Sequence, residues 1–380
     1  MDAKFKVTLI GTLPPIKGIS PYCKDLLTSL TKVVTVEFIG FKKIYPGFLY
    51  PGGEVTENNV QDSNITIENT EIRNILTYYN PFSWVTAGLT CKGDIIHAQW
   101  WSHVLAPVYV VILLLCKIRG KKIVITIHNI IPHEGNKLNT MLNGAVLHLG
   151  DHFIVHSERN VLQLHNAFDV PMEKISKIPI GITNGIENIR VSQSAAKEKL
   201  RIPNQKKVIL FYGHIREYKG LDVLLEAFSI AIQQDQDAGT PWKNENHYIN
   251  RIQEYQIGNH CRTYLYFIPS NETNLLYSAS DLVVLPYREF SSQSAVGAVA
   301  LAYQKPLIVT DVGGLSEYIM DERCLVSPNN PKQLAERILL IARDKNLLQK
   351  LSLDSKSLAQ NYSWRSVAEK TVTTYESILI

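Results

Sequence analysis

At 380 residues, with 45% hydrophobic and 19% charged residues, the chain is too long for a single hydrophobic core. It has the balance of an ordinary globular protein, which excludes a fibrous or disordered class and points to two domains. A net charge of +4 makes the surface mildly basic, which favours anionic ligands and anionic membrane surfaces and argues against a nucleic-acid partner.

The first element expected is a strand, Lys6 to Ile10. Its apolar run is too short for the central region of a signal peptide. It ends at Gly11 and leads through a Pro-Pro loop to Gly18 and a helix beginning near Pro21. Gly18 lets backbone approach a ligand, and the helix start offers free N–H groups to a phosphate. A rigid turn is the plain alternative. The loop is not G-x-G-x-x-G, so the fingerprint of a nicotinamide dinucleotide enzyme is absent.

Ile95 to Ala98 reads as a second strand, in IIHAQWW, with His97, Gln99 and Trp100 as candidates to line a pocket at its end. Trp100 and Trp101 offer faces for sugar stacking, against the default of buried packing. Val104 to Cys116 is apolar but well short of the roughly 20 residues of a spanning helix, so a buried helix is expected. The basic cluster Lys117 to Lys122 after it suits anionic headgroups. Ile123 to Ile127 and Phe153 to Val155 complete the strands of a first domain and place His128 and His156 at carboxyl ends, where open α/β sheets bind ligands.

Residues 191 to 207 are polar and lack a strand signal, so the domain boundary is expected there. The second series opens at Val208 to Phe211, passes Tyr212-Gly213 and enters a helix marked by Leu221, Leu224, Leu225 and Phe228. Arg216 and Lys219 sit three apart in the turn between. They converge on one anionic group at the positive end of a helix, and phosphate is the natural guest. Solvated charges on a surface turn are the competing reading.

Further strands are expected at Tyr264 to Phe267, Leu282 to Leu285 and Leu307 to Val309. The third of these strands is followed by Asp311-Val312-Gly313-Gly314 and Glu317, the second by Glu289 and a turn, Ser292-Gln293-Ser294, that leaves N–H groups available at a helix start. Asp235-Gln236-Asp237 spells a metal-binding Asp-x-Asp but follows no recognisable strand, and reads as a solvated loop. The cysteines, Cys23, Cys91, Cys116, Cys261 and Cys324, have no paired spacing. They indicate neither a zinc site nor a disulfide framework, and a reducing compartment.

On the Arg-x-x-Lys-Gly turn at 216–220, the histidine strand ends and the Lys305-Pro306 to Glu317 order, the chain resembles the family-four retaining glycosyltransferases of the GT-B fold (glycosyl transferases group 1). The resemblance implies an α/β protein of two Rossmann-like domains facing a cleft. Residues 1–190 would form the acceptor-binding domain, 191–362 the nucleotide-sugar donor domain, and 363–380 a helix crossing back to the first. It also implies metal-independent, retaining transfer of a sugar from a nucleotide sugar to an acceptor hydroxyl, with no cofactor.

The donor set it implies is Gly18, Gly213, Arg216, Lys219, Glu289, Ser292, Gln293 and Ser294. His97, Gln99, Trp100, His133 and His156 would lie on the acceptor side, and His128 beside the reacting sugar with Arg216 and Lys219 as the catalytic cations. The partners are the nucleotide-sugar donor, a saccharide or lipid-linked acceptor and an anionic membrane surface, in a cytoplasmic protein at the inner face of the membrane. The chain departs from the commonest form of the family where two glutamates eight positions apart are usual: Ser291 and Val299 stand there, with Glu289 two residues early. Ile180 precedes Gly181 where histidine is usual, and the segment Gln233 to Trp242 retains almost no strand residues. Those departures keep open a catalytically silent nucleotide-sugar-binding or scaffold protein. An epimerase or phosphorylase of the same fold is disfavoured for want of a carboxylate pair or a pyridoxal lysine.

Overall fold

The structure, a computed structural model, describes residues 5–16, 18–44, 67–130, 137–182, 190–213, 215–234, 246–264, 266 and 268–379. It divides into two compact units, Met1–Gly181 with Trp364–Ile380, and Ile182–Ser363. The division thus falls after Gly181, ahead of the polar stretch at 191–207.

Unit 1 is built on a seven-stranded, wholly parallel sheet in the order β3-β2-β1-β4-β5-β6-β7. Its strands are β1 (Lys6–Gly11), β2 (Thr35–Lys43), β3 (Glu71–Thr77), β4 (Ile95–Trp100), β5 (Lys122–Ile127), β6 (His152–Val155) and β7 (Ile175–Lys177). The helices are α1 (Ser20–Leu30), α2 (Pro81–Thr90), α3 (Ala106–Ile118), α4 (Lys137–Leu147) and α5 (Glu158–Phe168). β2, β3 and β7 were not anticipated; β3 and β7 lie at the sheet edges, and β3 has no continuous apolar run to announce it.

Because successive side chains of a strand point to opposite faces, each central strand feeds two cores. Ile96, Ala98, Ile123, Ile125 and Val155 pack with α2 and α3, whereas Ile95, Val124 and Ile154 pack with α1 and the C-terminal segment. This two-sided burial is what a parallel sheet requires.

Unit 2 has a four-stranded parallel sheet, β11-β10-β9-β8. Its strands are β8 (Ile209–Leu210), β9 (Leu282–Leu285), β10 (Leu307–Thr310) and β11 (Leu325–Val326). Around it lie α6 (Gln193–Lys199), α7 (Leu221–Gln234), α8 (Asn246–Glu254), α9 (Ser270–Ala279), α10 (Ala295–Ala302), α11 (Pro331–Arg343) and α12 (Lys345–Asn361). The same alternation sends Val284 and Ile308 to one core and Val283, Leu285 and Val309 to the other. The strand expected at Tyr264 to Phe267 includes residues 265 and 267, and the loop of Asp235 and Asp237 is residues 235–245; both fall outside the described residues.

The last helix, α13 (Trp364–Ser377), belongs to unit 1. It buries Trp364, Val367, Ala368, Thr371 and Tyr375, spaced at three and four residues, and packs on α1. Gly181 lies against the indole of Trp364 so closely that a Cβ would stand 2.4 Å from the ring.

Candidate functional site

In unit 1 the strand parity decides which polar groups meet. His97 and Gln99 on β4, Thr126 on β5, His128 just beyond β5 and His156 just beyond β6 all share the parity of Val124 and Ile154, the face covered by α1 and α13. They form one chain of contacts. His156 Nδ1 donates to the carbonyl of Ile178 at 3.0 Å, and its Nε2 lies 3.2 Å from His128 Nδ1. His128 Nε2 is 3.0 Å from Gln99 Oε1, and Gln99 Nε2 is 3.1 Å from His97 Nε2. His97 also meets Thr126 Oγ1 at 2.7 Å and, through Nδ1, the hydroxyl of Tyr375 on α13 at 2.6 Å.

Burial holds these imidazoles neutral. It pushes His97 down to about 3 and His156 down to about 4, the latter opposed by its bond to Ile178. His128 is driven well below the ordinary histidine value by burial first, then by its proximity to His156 and His97. Tyr22 on α1 closes the cluster, with its ring edge-on to His128 at 4.7 Å and to His156 at 5.5 Å, and meeting Trp364 at 5.2 Å.

Two expected residues sit otherwise than anticipated. Trp100 has the opposite parity: it is 1% exposed in the core under α2 and α3, edge-on to Tyr109, and presents no face to a sugar. His97 lies inside β4, fully buried, and supports Gln99 instead of lining a pocket itself. His128 is half-buried and stands at the strand end. His133 lies outside the described residues. At the β1 end, Gly18 has φ +92° with open space where a side chain would be, and Ser20 at the start of α1 donates to Thr12 at 2.8 Å. Tyr22 and Tyr375 were missed, since neither stands in a recognisable motif.

In unit 2 three loops follow the carboxyl ends of adjacent parallel strands. After β8, Gly213 takes φ +99°, where a Cβ would lie 3.0 Å from Lys219 Nζ, and Gly220 takes φ +64°, where a Cβ would lie 2.1 Å from the carbonyl oxygen of Pro286. Both require glycine. Between them Arg216 opens a short 3-10 turn, Glu217–Lys219, that hands the chain to α7. Lys219 is 8% exposed, its Nζ 5.6 Å above the Tyr287 ring, and neither it nor Arg216 has a carboxylate partner among the described residues. Burial, then the nearby Arg216 charge, lower the Lys219 pKa. A buried ammonium without a counterion is costly unless an anion joins it.

The second loop is pinned to its surroundings. Ser294, the residue before α10, meets the Tyr287 hydroxyl at 3.1 Å and accepts the Tyr318 hydroxyl on its carbonyl at 2.8 Å, so its side chain does not cap the helix. Gln293 is buried and donates to Glu317 at 3.3 Å, and the carbonyl of Ser292 accepts from Gly314 N–H at 3.0 Å. Thus Ser292, Gln293 and Ser294 tie the β9 loop to the β10 loop. Glu289 is exposed at the rim of this loop.

Comparison with known proteins agrees with this geometry. Residues 192–357 match the family described as Glycosyl transferases group 1. An uncharacterized glycosyltransferase of Methanocaldococcus jannaschii is 26% identical over 220 residues, covering 55% of this chain and 55% of the relative. A D-inositol 3-phosphate glycosyltransferase of Corynebacterium diphtheriae is 28% identical over 191 residues, covering 46% and 44%. The chain spans about half the length of the curated relatives it matches. The crystal structure of HepE from Anabaena in complex with UDP superposes with a TM-score of 0.73 over 98% of this chain and 100% of that one, at 16% identity. The fold is that of the GT-B glycosyltransferases, and the second unit is similar in sequence to the glycosyl transferases group 1.

Proposed function

We propose that the protein is a metal-independent, retaining glycosyltransferase that moves a sugar from a nucleotide-sugar donor to a hydroxyl of a saccharide or lipid-linked acceptor. It would work in polysaccharide, glycolipid or other glycan biosynthesis, in the cytoplasm at the inner face of the membrane, and need no cofactor. One observation carries the reading: Lys219, buried and without a carboxylate partner among the described residues, sits beside Arg216 in a two-glycine turn at the carboxyl end of β8.

Two such cations at a helix entrance suit the diphosphate of a donor. The bond between sugar and diphosphate breaks with its electron pair left on the diphosphate oxygen, so negative charge builds there in the transition state and fixed cations stabilise it more than they do the less charged ground state. The sugar left behind develops positive charge at its anomeric carbon. A histidine beside it serves better neutral than charged, and His128 is held neutral by burial and by His156. Gln293 and Ser294, locked to Glu317 and Tyr287, present the start of α10 to the donor.

Ser291 and Val299, in place of the two carboxylates usual in the family, favour a second reading: a silent nucleotide-sugar-binding or scaffold protein. The experiment that separates them is calorimetry and a thermal-shift screen with UDP-, GDP- and ADP-sugars, the UDP series first because the Anabaena relative holds UDP, followed by release of free nucleotide from whichever donor binds. Binding with slow release supports the transferase, binding with none supports the silent protein, and no binding by any donor rejects both.

A further inference from the structure

Eight of the fifteen large apolar side chains exposed among the described residues fall between Tyr79 and Met141, about one sixth of the chain. Their order is regular. Phe82, Val85 and Leu89 recur at three and four residues along α2, Leu114 and Ile118 are four apart on α3, and Met141 stands on α4. α2 packs on α3 at Gly88, where a Cβ would lie 2.9 Å from Leu115, and α3 packs on α4. The three helices therefore lie side by side over one face of the unit 1 sheet. Each has already buried a different apolar side in the core, so folding makes no use of these residues. Phe82 is 83% exposed, Ile118 73% and Met141 67%, a clustering unlike the scattered single apolar residues of an ordinary surface.

The charge around this face is one-sided. From Pro81 to Asp151 there are six basic residues, Lys92, Lys117, Arg119, Lys121, Lys122 and Lys137, against three acids, Asp94, Glu134 and Asp151, in a chain whose totals are 39 and 35. Four of the six end α3 or follow it. Lys92 pairs with Glu71, Lys117 with Asp151 and Lys121 with Asp94, while Arg119 donates to the carbonyls of Gly88 and Cys91 and retains its charge. Lys122 is exposed with no carboxylate partner among the described residues.

We propose that the α2–α3–α4 face is a docking surface for an anionic lipid bilayer. The apolar stripes enter the headgroup boundary and the basic end of α3 rests on the phosphates. No helix among the described residues is long and apolar enough to cross the membrane, so contact is with the surface. A second copy of the chain is the poorer occupant, because a two-fold pairing of this face with itself would set like charges against each other. The proposal deepens the reading of the chain as a transferase for a lipid-linked acceptor, since it supplies the surface on which that acceptor would be met.

The test is sedimentation of the full chain with vesicles of phosphatidylglycerol and phosphatidylcholine, against phosphatidylcholine alone, at low and high salt. Phe82→Ser with Ile118→Ser is the variant, and UDP affinity is measured in parallel so that a failed donor site is told apart from a failed membrane face. The wild type should sediment with anionic vesicles at low salt and much less with neutral ones. The double variant should lose about tenfold or more of that partitioning, because two exposed apolar side chains no longer leave water, with its UDP affinity unchanged. Absence of binding at low salt, equal binding to neutral vesicles, or undiminished binding by the variant overturns the proposal. So does a wild-type dimer in solution that the double variant makes monomeric, which would assign the face to a second copy.

Discussion

His156 Nε2 lies 3.2 Å from His128 Nδ1, and it is a hydrogen bond when His128 is the donor. The carbonyl of Ile178 can only accept, so His156 spends its one N–H there and presents a bare Nε2. His128, neutral, then carries its proton on Nδ1 and has a bare Nε2 facing Gln99. That nitrogen needs a donor, which the Gln99 amide supplies when its NH2 group is turned toward His128. The amide stands with Oε1 toward His128 Nε2, at 3.0 Å, and in that orientation a neutral ring holds its proton on Nε2 and leaves Nδ1 bare toward His156. The two ends of the amide have the same outline and exchange by a half-turn, so the orientation of Gln99 follows the tautomer of His128.

Nitrogen-15 chemical shifts of the histidine rings should therefore show His128 as the Nδ1–H tautomer at neutral pH. Gln99→Leu removes the partner of the bare nitrogen, and that ring should shift toward a mixture of tautomers while His156 keeps its pattern. An imidazolium at pH 7 would contradict the assignment.

His128→Ala should lower turnover strongly and leave the affinity for UDP unchanged, because the diphosphate cations lie in the other unit. Calorimetry for UDP and initial rates for transfer separate the two effects; lost UDP affinity with normal turnover of bound donor would reverse the roles.

Removing Lys219 or Arg216 as Ala should weaken UDP by a charge-assisted contact worth roughly 1.5–3 kcal/mol, or about ten- to hundredfold. Lys219→Ala should also leave the fold intact or slightly more stable without nucleotide, since it removes a desolvated charge with no carboxylate partner among the described residues. Titration of each variant with UDP checks the first expectation and urea unfolding the second.

The buried histidines make the fold acid-sensitive. Their folded values, about 3 for His97 and about 4 for His156, lie below the unfolded value near 6.5. The unfolded chain therefore binds more protons as pH falls. Stability from the neutral rings is present above about pH 6.5 and is lost from there down, at up to roughly 1.4 kcal/mol per pH unit for each ring. Unfolding midpoints from pH 7 to 4 should drop faster in the wild type than in His156→Gln, which keeps a hydrogen-bonding side chain without the titration.

Gly220→Ala should be severe, because the turn demands φ +64° and a Cβ would stand 2.1 Å from the Pro286 carbonyl oxygen. The loss should exceed about 1–3 kcal/mol, the usual range for a residue forced into a disfavoured backbone region, and UDP affinity should fall with it. Gly18→Ala, also at positive φ but with open space around it, should cost less.

Much of this organisation was legible from local pattern. The strands ending at His128 and His156 are largely apolar runs, the Gly213 to Gly220 turn names its cations, and the alternation in IIHAQWW already sets His97 and Gln99 on one face and Trp100 on the other. Read for parity, that alternation assigns Trp100 to the core, which the attraction of a tryptophan at a strand end obscured. The short edge strand β7 and the mixed-polarity β3 gave no comparable signal, since edge pairing asks little of side chains.

What tertiary structure alone decided is the company each residue keeps. Tyr375 reaches His97 across 278 positions of sequence, and Tyr22 meets both His128 and His156 only because α1 lies over the carboxyl ends of β5 and β6. Whether Lys219 would be a solvated charge or a buried one awaiting an anion was equally beyond the sequence. Periodicity reports the face a side chain takes on its own element, a matter of a few neighbouring dihedrals. Burial, protonation and pairing depend on which other elements close over that face, and those contacts are set by the packing of the whole unit.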